Sequence, residues 1–451
     1  MTVGIVGTGP AARAVEAALD DVAVTASHIE PEDLGERDLA VVVGGAGDDV
    51  FERANERSLA TATPWIAVEL GGIGGYPLVD GTVAGFPSSG PCYDCLTGRV
   101  AANRDPEAAP TAAPPAHTAR FAGAIGGRAA ARHLADTADG DSGPSIFGAV
   151  VEVDGPRRTL LPLPGCDCGE PVARGLDRER VDRSLDEALG RAEQGLDDRV
   201  GLVQQVGEAE SFPVPYYLAR GCDTSGFSDV TAGRDAAGVA AGWDEAFMKA
   251  LGEALERYCA GVYRTDDFEA GAPEALDSTV APSAFVCESE PDSDESIHWV
   301  PGENLSTGGE VLLPAELVHY PPPERRLRPA ITTGLGLGNG GAEALLAGLY
   351  EVIERDATML AWYSTFDPLA VDVADEAYDE LVRRARSEDL EVTSLLVTQD
   401  VDVPVIAACV HREEWPRFAV GTSAHLDPVR AATGALAEAL QNWMELRGMG
   451  P

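Results

Sequence analysis

Short apolar runs alternate with glycine, proline and acidic residues along the amino-terminal part of the chain. The runs at residues 2–7, 39–43 and 65–70 have the length and the flanking turn residues that are typical of buried strands. Residues 11–19 and 49–59 have helical character and lie between these runs. This alternation of strand and helix predicts an α/β fold with a Rossmann-like layer.

Apolar residues recur at helical spacing in two later segments, Trp243–Tyr263 and Ala342–Tyr363, and an alanine-rich helix is predicted at Pro428–Met444. We expect the apolar stripe of the first two helices to be buried. The stripes consist of Phe247, Met248, Leu251, Leu255, Tyr258 and Val262 in the first helix and of Leu345, Leu346, Leu349, Val352, Ile353 and Leu360 in the second.

The order of these patterns predicts a Rossmann-like domain at residues 1–170 and a second domain at 200–451. Residues 171–199 between them are charged and mostly helical, which is typical of a linker. The amino-terminal GTGPAA follows a strand and precedes a helix, but no acidic residue ends a second strand at the expected distance. We therefore interpret it as a packing turn without a bound nucleotide.

Acidic residues outnumber basic ones along the whole length, giving a net charge of −42, and Lys249 is the only lysine. This composition predicts a cytoplasmic protein adapted to high salt, in which charge repulsion is screened. Without a basic stripe, neither nucleic acid nor a membrane is expected as a partner. A signal peptide and a membrane-spanning run are not predicted either.

Four of the eight cysteines form two close pairs, Cys92/Cys95 and Cys166/Cys168. In a cytosolic chain this spacing favours a structural zinc site with four thiolate ligands. A redox dithiol or unrelated thiols are the alternatives. His117, His133, His319 and His425 lack metal-ligand spacing and an activating partner, so we expect them to be packed or solvated.

The phrase Glu-x-x-Glu-Arg occurs on both long helices and places two carboxylates and a guanidinium on one helical face. Its members are Glu253, Glu256 and Arg257 in the first helix and Glu351, Glu354 and Arg355 in the second. One interpretation is a solvated face whose pairs each contribute about 0.2–0.5 kcal/mol. The other is a clamp for magnesium and a polyphosphate.

Three features favour the clamp. Small residues lie beside the charges, and GLGLGNGG precedes the second helix, where backbone amides suit an anion. Lys249 lies four residues before Glu253, although a simple surface pair would also explain it. Glu438 and Gln441 on the third helix have the same spacing, but alone they are typical of an exposed pair.

In order, KALGEALERY, TTGLGLGNGGAEALLAGLYEVIERDA and GTSAHLDPVRAATGALAEALQ resemble the three nucleotide-binding segments of the YcaO superfamily. The resemblance covers about residues 200–451. The amino-terminal part more loosely resembles the ThiF-like zinc-binding domain of SagD-type thiazole/oxazole-forming cyclodehydratases. YcaO enzymes use ATP to phosphorylate a peptide amide oxygen. A Cys, Ser or Thr side chain, or external sulfide, then attacks the activated carbon, giving azolines or thioamides.

The resemblance implies that Mg²⁺ and the phosphates of ATP are held by Glu253, Glu256, Glu343, Glu351 and Glu354. It implies nucleotide contacts from Asn339 and Arg355, with Glu438 and Gln441 completing the site. We expect Lys249 and Arg257 to bind the nucleotide as well. The implied partners are a peptide or protein substrate, a separate substrate-recognition or sulfur-transfer protein, and a second copy in a homodimer. No leader-binding winged helix precedes the first strand, which favours a separate recognition protein.

Two positions depart from the family pattern, which usually has Ser where Lys249 stands and Arg where Gly434 stands. We interpret Lys249 as a replacement for the missing positive charge. The chain ends soon after the third motif, which indicates either a truncated sequence or a subgroup without the Pro-rich tail of azoline-forming members. Cyclodehydration is the leading hypothesis, and the alternatives are thioamide formation or a degenerate scaffold that does not catalyse.

Overall fold

The computed structural model describes residues 2–22, 24–139, 144–169, 175–288 and 294–450, with the side chains of 136–139 left out. These residues form two compact units, and the chain passes between the units three times. The first unit comprises Met1–Ala173 and Asp197–Gln204, and the second comprises Arg174–Leu196 and Gln205–Pro451. The predicted limits at 1–170, 171–199 and 200–451 stay predictions.

The first unit is a sheet covered by helices. Its strands are β1 (Thr2–Val6), β2 (Thr25–His28), β3 (Leu39–Gly45), β4 (Trp65–Leu70), β5 (Gly81–Phe86), β6 (Ala149–Glu152) and β7 (Arg157–Thr159). Its helices are α1 (Pro10–Asp20), α2 (Val50–Thr61), α3 (Tyr93–Asn103) and α4 (Ala116–Asp139). The strand order is β2-β1-β3-β4-β5-β6-β7, parallel from β2 to β4 and antiparallel from there on.

The central strands are apolar along their length because both faces of the sheet are covered. Val41 on β3 packs in one core with α1 and α4, whereas its neighbour Val42 packs in another with α2 and α3. Helix α4 lies directly on α1, and a Cβ added at Gly123 would be 2.2 Å from the carbonyl oxygen of Ala11. Glycine therefore permits backbone-to-backbone packing beside the GTGPAA turn.

In its described residues, the second unit contains three small sheets and five α-helices, and its first strand begins two residues earlier, in the first unit. The strands are β8 (Val203–Glu210), β9 (Tyr216–Gly221), β10 (Asp235–Val239), β11 (Glu269–Gly271), β12 (Ile297–Asn304), β13 (Gly309–Pro314), β14 (Leu369–Ala370), β15 (Glu391–Leu396), β16 (Val405–His411) and β17 (Phe418–Ala424). The helices are α5 (Leu185–Ala192), α6 (Trp243–Gly261), α7 (Gly341–Tyr363), α8 (Glu376–Ser387) and α9 (Pro428–Met449). The sheet orders are β10-β9-β8, β11-β12-β13 and β14-β15-β16-β17. This mixture of sheets and helices, together with the first unit, confirms the predicted α/β class.

Helix α9 is the centre of the main core of the second unit. Its alanines pack with Leu436, Leu440 and Trp443 against strands β16 and β17 and helix α8. The approach is close, since a Cβ added at Gly421 on β17 would lie 2.4 Å from the carbonyl oxygen of Ala435. The alanine-rich sequence thus fixes the distance between helix and sheet, and with it the position of the polar face of α9.

The prediction of a buried apolar stripe on α7 was wrong. Only Gly348 and Ala357 of this helix are buried, and several large side chains of the predicted stripe are exposed, namely Leu346, Leu349, Val352 and Leu360. The helix lies on β16 and β17 through small contacts, in which Ala357 meets Ala407 and Ala424. Because small residues make this contact, the large apolar side chains of α7 point elsewhere.

Candidate functional site

A cavity of about 770 Å³ in the second unit collects most of the predicted site residues. It is bounded by α5, α6 and α9 and by the glycine-rich segment that precedes α7. Seven of the eleven predicted nucleotide-site residues line it, namely Lys249, Glu253, Glu256, Asn339, Glu343, Glu438 and Gln441. Arg257, Glu351, Glu354 and Arg355 are not among its lining residues.

Helix α6 turns its acidic face to the cavity because its alanine face is used for packing. A Cβ added at Gly238 of β10 would lie 2.2 Å from the nitrogen of Ala250, so helix and strand are in close contact. Glu253 accepts hydrogen bonds from the Ala237 N–H at 3.0 Å and from Arg257 Nη2 at 2.7 Å. The carboxylate is therefore held in place before any ligand binds.

The stripe predicted to be buried on α6 is divided between core and cavity. Leu251 and Tyr258 are buried as expected, whereas Met248 and Leu255 line the cavity beside the glutamates. Phe247 and Val262 are only partly buried. The prediction was wrong for these four residues, because α6 packs through Ala246, Ala250 and Ala254 and leaves its longer side chains at the edge of the contact. Met248 and Leu255 give the cavity an apolar wall next to its acidic one.

The glycine-rich segment before α7 does not present all its amides to the cavity. The N–H of Gly334 donates to Glu351 at 3.2 Å, and the N–H of Asn339 donates to Glu343 Oε2 at 2.8 Å. The segment lies flat on the helix, since a Cβ added at Gly336 would be 2.2 Å from the carbonyl oxygen of Ala344. Two amides expected to suit an anion thus bind carboxylates of α7 instead.

Two further carboxylates are fixed by strand β17. Glu354 on α7 accepts from Thr422 Oγ1 at 2.7 Å and from the Ala424 N–H at 3.3 Å. Glu438 on α9 accepts from the Thr422 N–H at 2.8 Å. Thr422 therefore brings the carboxylates of two different helices to one residue, which the sequence alone did not indicate.

The carboxylates around the cavity repel one another and are partly removed from water. Burial raises the pKa of Glu256, Glu351 and Glu438, and that of Glu354 to about 7. The charge of Glu351 contributes to the raised pKa of the other three. An excess of buried negative charge is the environment that a divalent cation stabilises.

Lys249 on α6 lines the cavity one turn before Glu253. Loss of surrounding water lowers its pKa, and the charges of Glu245 and Glu438 oppose this effect. Gly434 lines the same cavity. A Cβ added at Gly434 would lie 2.8 Å from Ser423 Oγ, so α9 and β17 are close at this point.

Arg257 lies behind Glu253 and has spare hydrogen-bonding capacity. Its guanidinium is 5.5 Å from the ring centre of Tyr320, and its Nη2 donates to Glu253. Its Nη1 is buried and has no hydrogen-bond partner in the part of the chain that the structure describes. An unpaired buried donor beside a set of carboxylates fits a site that receives an anionic group such as a phosphate.

The residues around the cavity fit a magnesium ion that is held jointly by the protein and by the phosphates of a nucleotide. Among the described residues, the glutamates do not converge closely enough to enclose an ion by themselves. Mg²⁺ commonly binds through one or two carboxylates together with phosphate oxygens and water. A cavity lined by separated carboxylates and an amine, with the unpaired guanidinium nitrogen of Arg257 behind Glu253, fits that mode of binding.

A segment that we predicted as part of a linker also contributes to the cavity. Residues 176–192, here called the strap, supply Arg183, Ser184 and Arg191 to its lining. Arg183 Nη1 donates to the carbonyl oxygen of Asn339 at 2.5 Å. The strap passes so close to the start of α7 that a Cβ added at Gly341 would lie 1.7 Å from the carbonyl oxygen of Asp177.

A signal for the strap helix was present in the sequence. Ser184 and Glu187 form a capping box, in which the Ser184 side chain accepts from the Glu187 N–H and the Glu187 carboxylate accepts from the Ser184 N–H. The pattern Ser-x-x-Glu before an amphipathic run identifies such a helix start. It does not reveal which surface the helix packs against, so Arg183 and Arg191 were missed.

The predicted cysteine pairs come together in the first unit. The Sγ atoms of Cys92, Cys95, Cys166 and Cys168 all lie within 4.8 Å of one another. The Cys92–Cys166 distance is 3.5 Å and the Cys95–Cys168 distance is 3.3 Å. Four thiolates at about 2.3 Å from one zinc ion would be separated by about 3.8 Å, so the cluster fits a closed tetrahedral site.

No helix in the described parts of the chain combines the length and the apolar character needed to cross a bilayer.

Residues 237–448 match the family model described as "YcaO cyclodehydratase, ATP-ad Mg2+-binding". An uncharacterized protein of Methanothermobacter thermautotrophicus is 32% identical over 216 residues, which are 46% of this chain and 56% of that protein. The chain thus spans about half the length of this relative.

Two solved structures share the fold of almost the whole chain. One is described as "Heterocyclase in complex with substrate and Cofactor", with a TM-score of 0.76 and 21% identity over 99% of this chain and 69% of that one. The other is the heterocyclase TruD, with a TM-score of 0.64 and 20% identity over 99% of this chain and 67% of that one. The match to the YcaO family model is thus limited to residues 237–448, whereas the fold shared with the two structures extends over almost the whole chain.

Proposed function

We propose that this protein is an ATP-dependent enzyme that activates a backbone amide of a peptide and closes azoline rings. The observation that carries the proposal is a cavity lined by four glutamates, a lysine and an asparagine from α6, α9, the first turn of α7 and the segment before it. The family model is described as ATP- and Mg²⁺-binding, and it covers most of these residues. The fold shared with two heterocyclases supports the same class of reaction.

The proposed chemistry transfers the terminal phosphoryl group of ATP to the amide oxygen, with ADP leaving. A side-chain thiol or hydroxyl of the peptide adds to the amide carbon and loses its proton. Phosphate then leaves with the former amide oxygen, and loss of the amide N–H proton gives the C=N bond of the azoline. Magnesium supplies charge neutralisation on the phosphates. The protein's contribution is placement of carboxylates and cations around the transferred group.

The roles we propose for individual residues follow from how firmly each is held. Glu253 and Glu438 each accept a backbone N–H, so they offer fixed oxygens to a cation. Glu256, Glu351 and Glu354 add negative charge behind them, and Glu343 and Asn339 form the rim near α7. Lys249, Arg257 and Arg355 would face phosphate oxygens, together with Arg183 of the strap.

In the first unit, we propose that Cys92, Cys95, Cys166 and Cys168 hold a structural zinc ion. Four sulfur ligands leave no open position for a substrate, so the ion would stabilise the fold without taking part in the reaction. The N–H of Leu163 donates to Cys95 Sγ at 3.2 Å, which favours the thiolate form that zinc requires.

The decisive experiment supplies short peptides rich in Cys, Ser and Thr together with Mg²⁺ and ATP at high salt. We expect peptide-dependent ADP release and the loss of one water mass per ring. A gain in mass that corresponds to exchange of oxygen for sulfur, seen only with a sulfur donor, would assign thioamide formation instead. Nucleotide binding without turnover would indicate a scaffold, and no nucleotide binding at saturating Mg²⁺ and ATP would refute the proposal.

A peptide substrate and a separate recognition or sulfur-transfer protein remain part of this proposal. The experiment therefore includes an arm with extract from the source cells added to the purified protein. Turnover that requires the extract would support a separate partner, and turnover without it would show that the chain recognises its peptide alone.

A further inference from the structure

Gln441 lines the cavity one turn beyond Glu438 on α9, and Glu445 follows one turn farther along the same face. An amide side chain can present either its carbonyl oxygen or its NH2 group. The two choices have opposite consequences in an acidic cavity. The NH2 group would donate to the carboxylates, whereas the oxygen would add one more acceptor to the wall.

Two hydrogen bonds decide between these choices. Gln441 Nε2 donates to Glu445 Oε1 at 3.0 Å, and the hydroxyl of Tyr216 donates to the same oxygen at 2.7 Å. A carboxylate only accepts, so the NH2 group of Gln441 must be the part that faces Glu445. The carbonyl oxygen is then left for the cavity.

The environment of Tyr216 keeps its hydroxyl group a hydrogen-bond donor to Glu445. It lies on β9 with 8% of its surface exposed, and burial followed by the neighbouring Glu445 charge raises the pKa of its phenol. The hydroxyl therefore stays protonated and remains a donor over the whole range in which proteins are folded. Glu445 is in this way held by a side chain from a different element.

With this orientation, the part of the cavity lining that α6 and α9 form includes oxygen atoms of Glu253 and Glu438 and the carbonyl oxygen of Gln441. Carbonyl and carboxylate oxygens are the ligands that magnesium and its bound waters prefer. Resting on the proposed function, we propose that Glu445 and Tyr216 are positioning residues that turn the carbonyl oxygen of Gln441 into the cavity to bind the divalent cation or its water shell.

The proposal is tested by two substitutions at one position. Glu445→Gln removes the charge but keeps an oxygen that Tyr216 and Gln441 can both donate to, whereas Glu445→Met removes the charge and the acceptor. We expect Mn²⁺ affinity, measured with a non-hydrolysable ATP analogue and without peptide, to fall about tenfold in Glu445→Met and only slightly in Glu445→Gln. Equal losses would show a pure charge effect and overturn the proposal.

A second readout follows the amide itself. The side-chain NH2 resonances of Gln441, identified by their disappearance in Gln441→Glu, should shift in Glu445→Met and stay in place in Glu445→Gln. Glu388→Gln is the control, since Glu388 lies near the same end of α9 and pairs with Arg447 at 3.6 Å. Unshifted resonances in Glu445→Met would contradict the proposed orientation.

Two safeguards keep the outcome clear. If Glu445→Met does not fold, the double substitution Tyr216→Phe with Glu445→Gln takes its place. Without the phenol donor, the amide introduced by Glu445→Gln is free to rotate, so this variant should bind Mn²⁺ more weakly. A wild-type protein that modifies peptides but shows no dependence of Mn²⁺ affinity on residue 445 would refute this inference alone. A protein that binds Mn²⁺ as expected but never turns over would refute only the proposed function.

Discussion

The carboxylate of Glu354 is held near the point of protonation at neutral pH. Burial raises its pKa to about 7, the charges of Glu438 and Glu351 add to the effect, and hydrogen bonds from Thr422 and Ala424 oppose it. A group of this kind is sensitive to anything that changes the charge in the cavity. A cation would return it to the ionised form.

This property predicts how stability depends on pH. The pKa of Glu354 is above its ordinary value of 4.5 in the folded state, so the folded protein binds more protons than the unfolded chain between about pH 4.5 and 7. Stability is therefore lost as the pH rises through this window, by at most about 3 kcal/mol from this residue. Glu354→Gln should flatten the dependence, measured by urea unfolding without metal or nucleotide.

The matched control for Glu354→Gln is Glu413→Gln, an exposed glutamate between two strands. It should leave the pH dependence as in the wild type. Parallel curves for Glu354→Gln and the wild type would show that Glu354 is not the titrating group.

Lys249 provides a second prediction at the level of a single residue. It faces Glu438 in the cavity, and loss of a charge-assisted contact to phosphate costs about 1.5–3 kcal/mol. We therefore expect Lys249→Ala to weaken Mg²⁺-ATP binding by about tenfold or more, measured by calorimetry at high salt. Lys249→Arg should retain much of the affinity, and an unchanged affinity in Lys249→Ala would remove the proposed role.

The elements differ in how well the sequence predicted them. The small residues beside the charges of α6 predicted a site on its glutamate face, and Glu253 and Glu256 line the cavity; their roles stay predictions. The buried face of α7 was predicted wrongly, because this helix packs through Gly348 and Ala357 and leaves Leu349 and Val352 exposed. Hydrophobic periodicity identifies a helix but not the element that it packs against. When a helix packs through small residues, the pattern wrongly predicts that its large apolar face is the buried one.

The strap likewise shows that contacts between distant segments cannot be predicted from a single sequence. Its capping box predicts a helix, but Arg183 binds the carbonyl of Asn339, which lies 156 residues away in the chain. A single sequence carries no sign of such a pairing. The contacts of Thr422 and Glu445 could not be predicted from the sequence either, because each residue is hydrogen-bonded to a residue of another helix or strand.

The contact between the strap and α7 is expected to tolerate no added atom. Gly341→Ala places a Cβ against the backbone of Asp177, and we expect a loss of about 1–3 kcal/mol of unfolding free energy with weaker nucleotide binding. Gly448→Ala is the control, since nothing lies within 4 Å of its Cβ position on α9. Alanine should stabilise that helix by about 0.5–1 kcal/mol. Similar effects of the two substitutions would contradict a tight strap contact.

The cysteine cluster joins α3 to the segment that carries Cys166 and Cys168 in the first unit. If it holds zinc, a strong chelator should lower the melting temperature, and readdition of Zn²⁺ should restore it. Cys92→Ser should behave like the chelated protein, and elemental analysis should find one zinc per chain. Cys409→Ser, outside the cluster, is the control, and insensitivity to chelation together with no bound metal would contradict the zinc site.

The charge of the whole molecule predicts a strong response to salt. A net charge of −42 on 451 residues destabilises the compact state by self-repulsion. We expect the melting temperature to rise as KCl increases from about 0.1 M to about 2 M, because the screening length falls to a few ångströms. Sorbitol at equal osmolality should raise it less. A melting temperature that stays constant or falls with KCl would show that self-repulsion does not limit stability.

The chain crosses between the two units three times, with the strap on the outward passage and residues 197–204 on the return. No single cut therefore separates two whole units. A fragment that begins at residue 205 loses Arg183 and Arg191, whereas one that begins at residue 174 carries a piece of the first unit without its sheet. Exchange of either unit between related genes would need three junctions at once, so the two units are expected to have been inherited together.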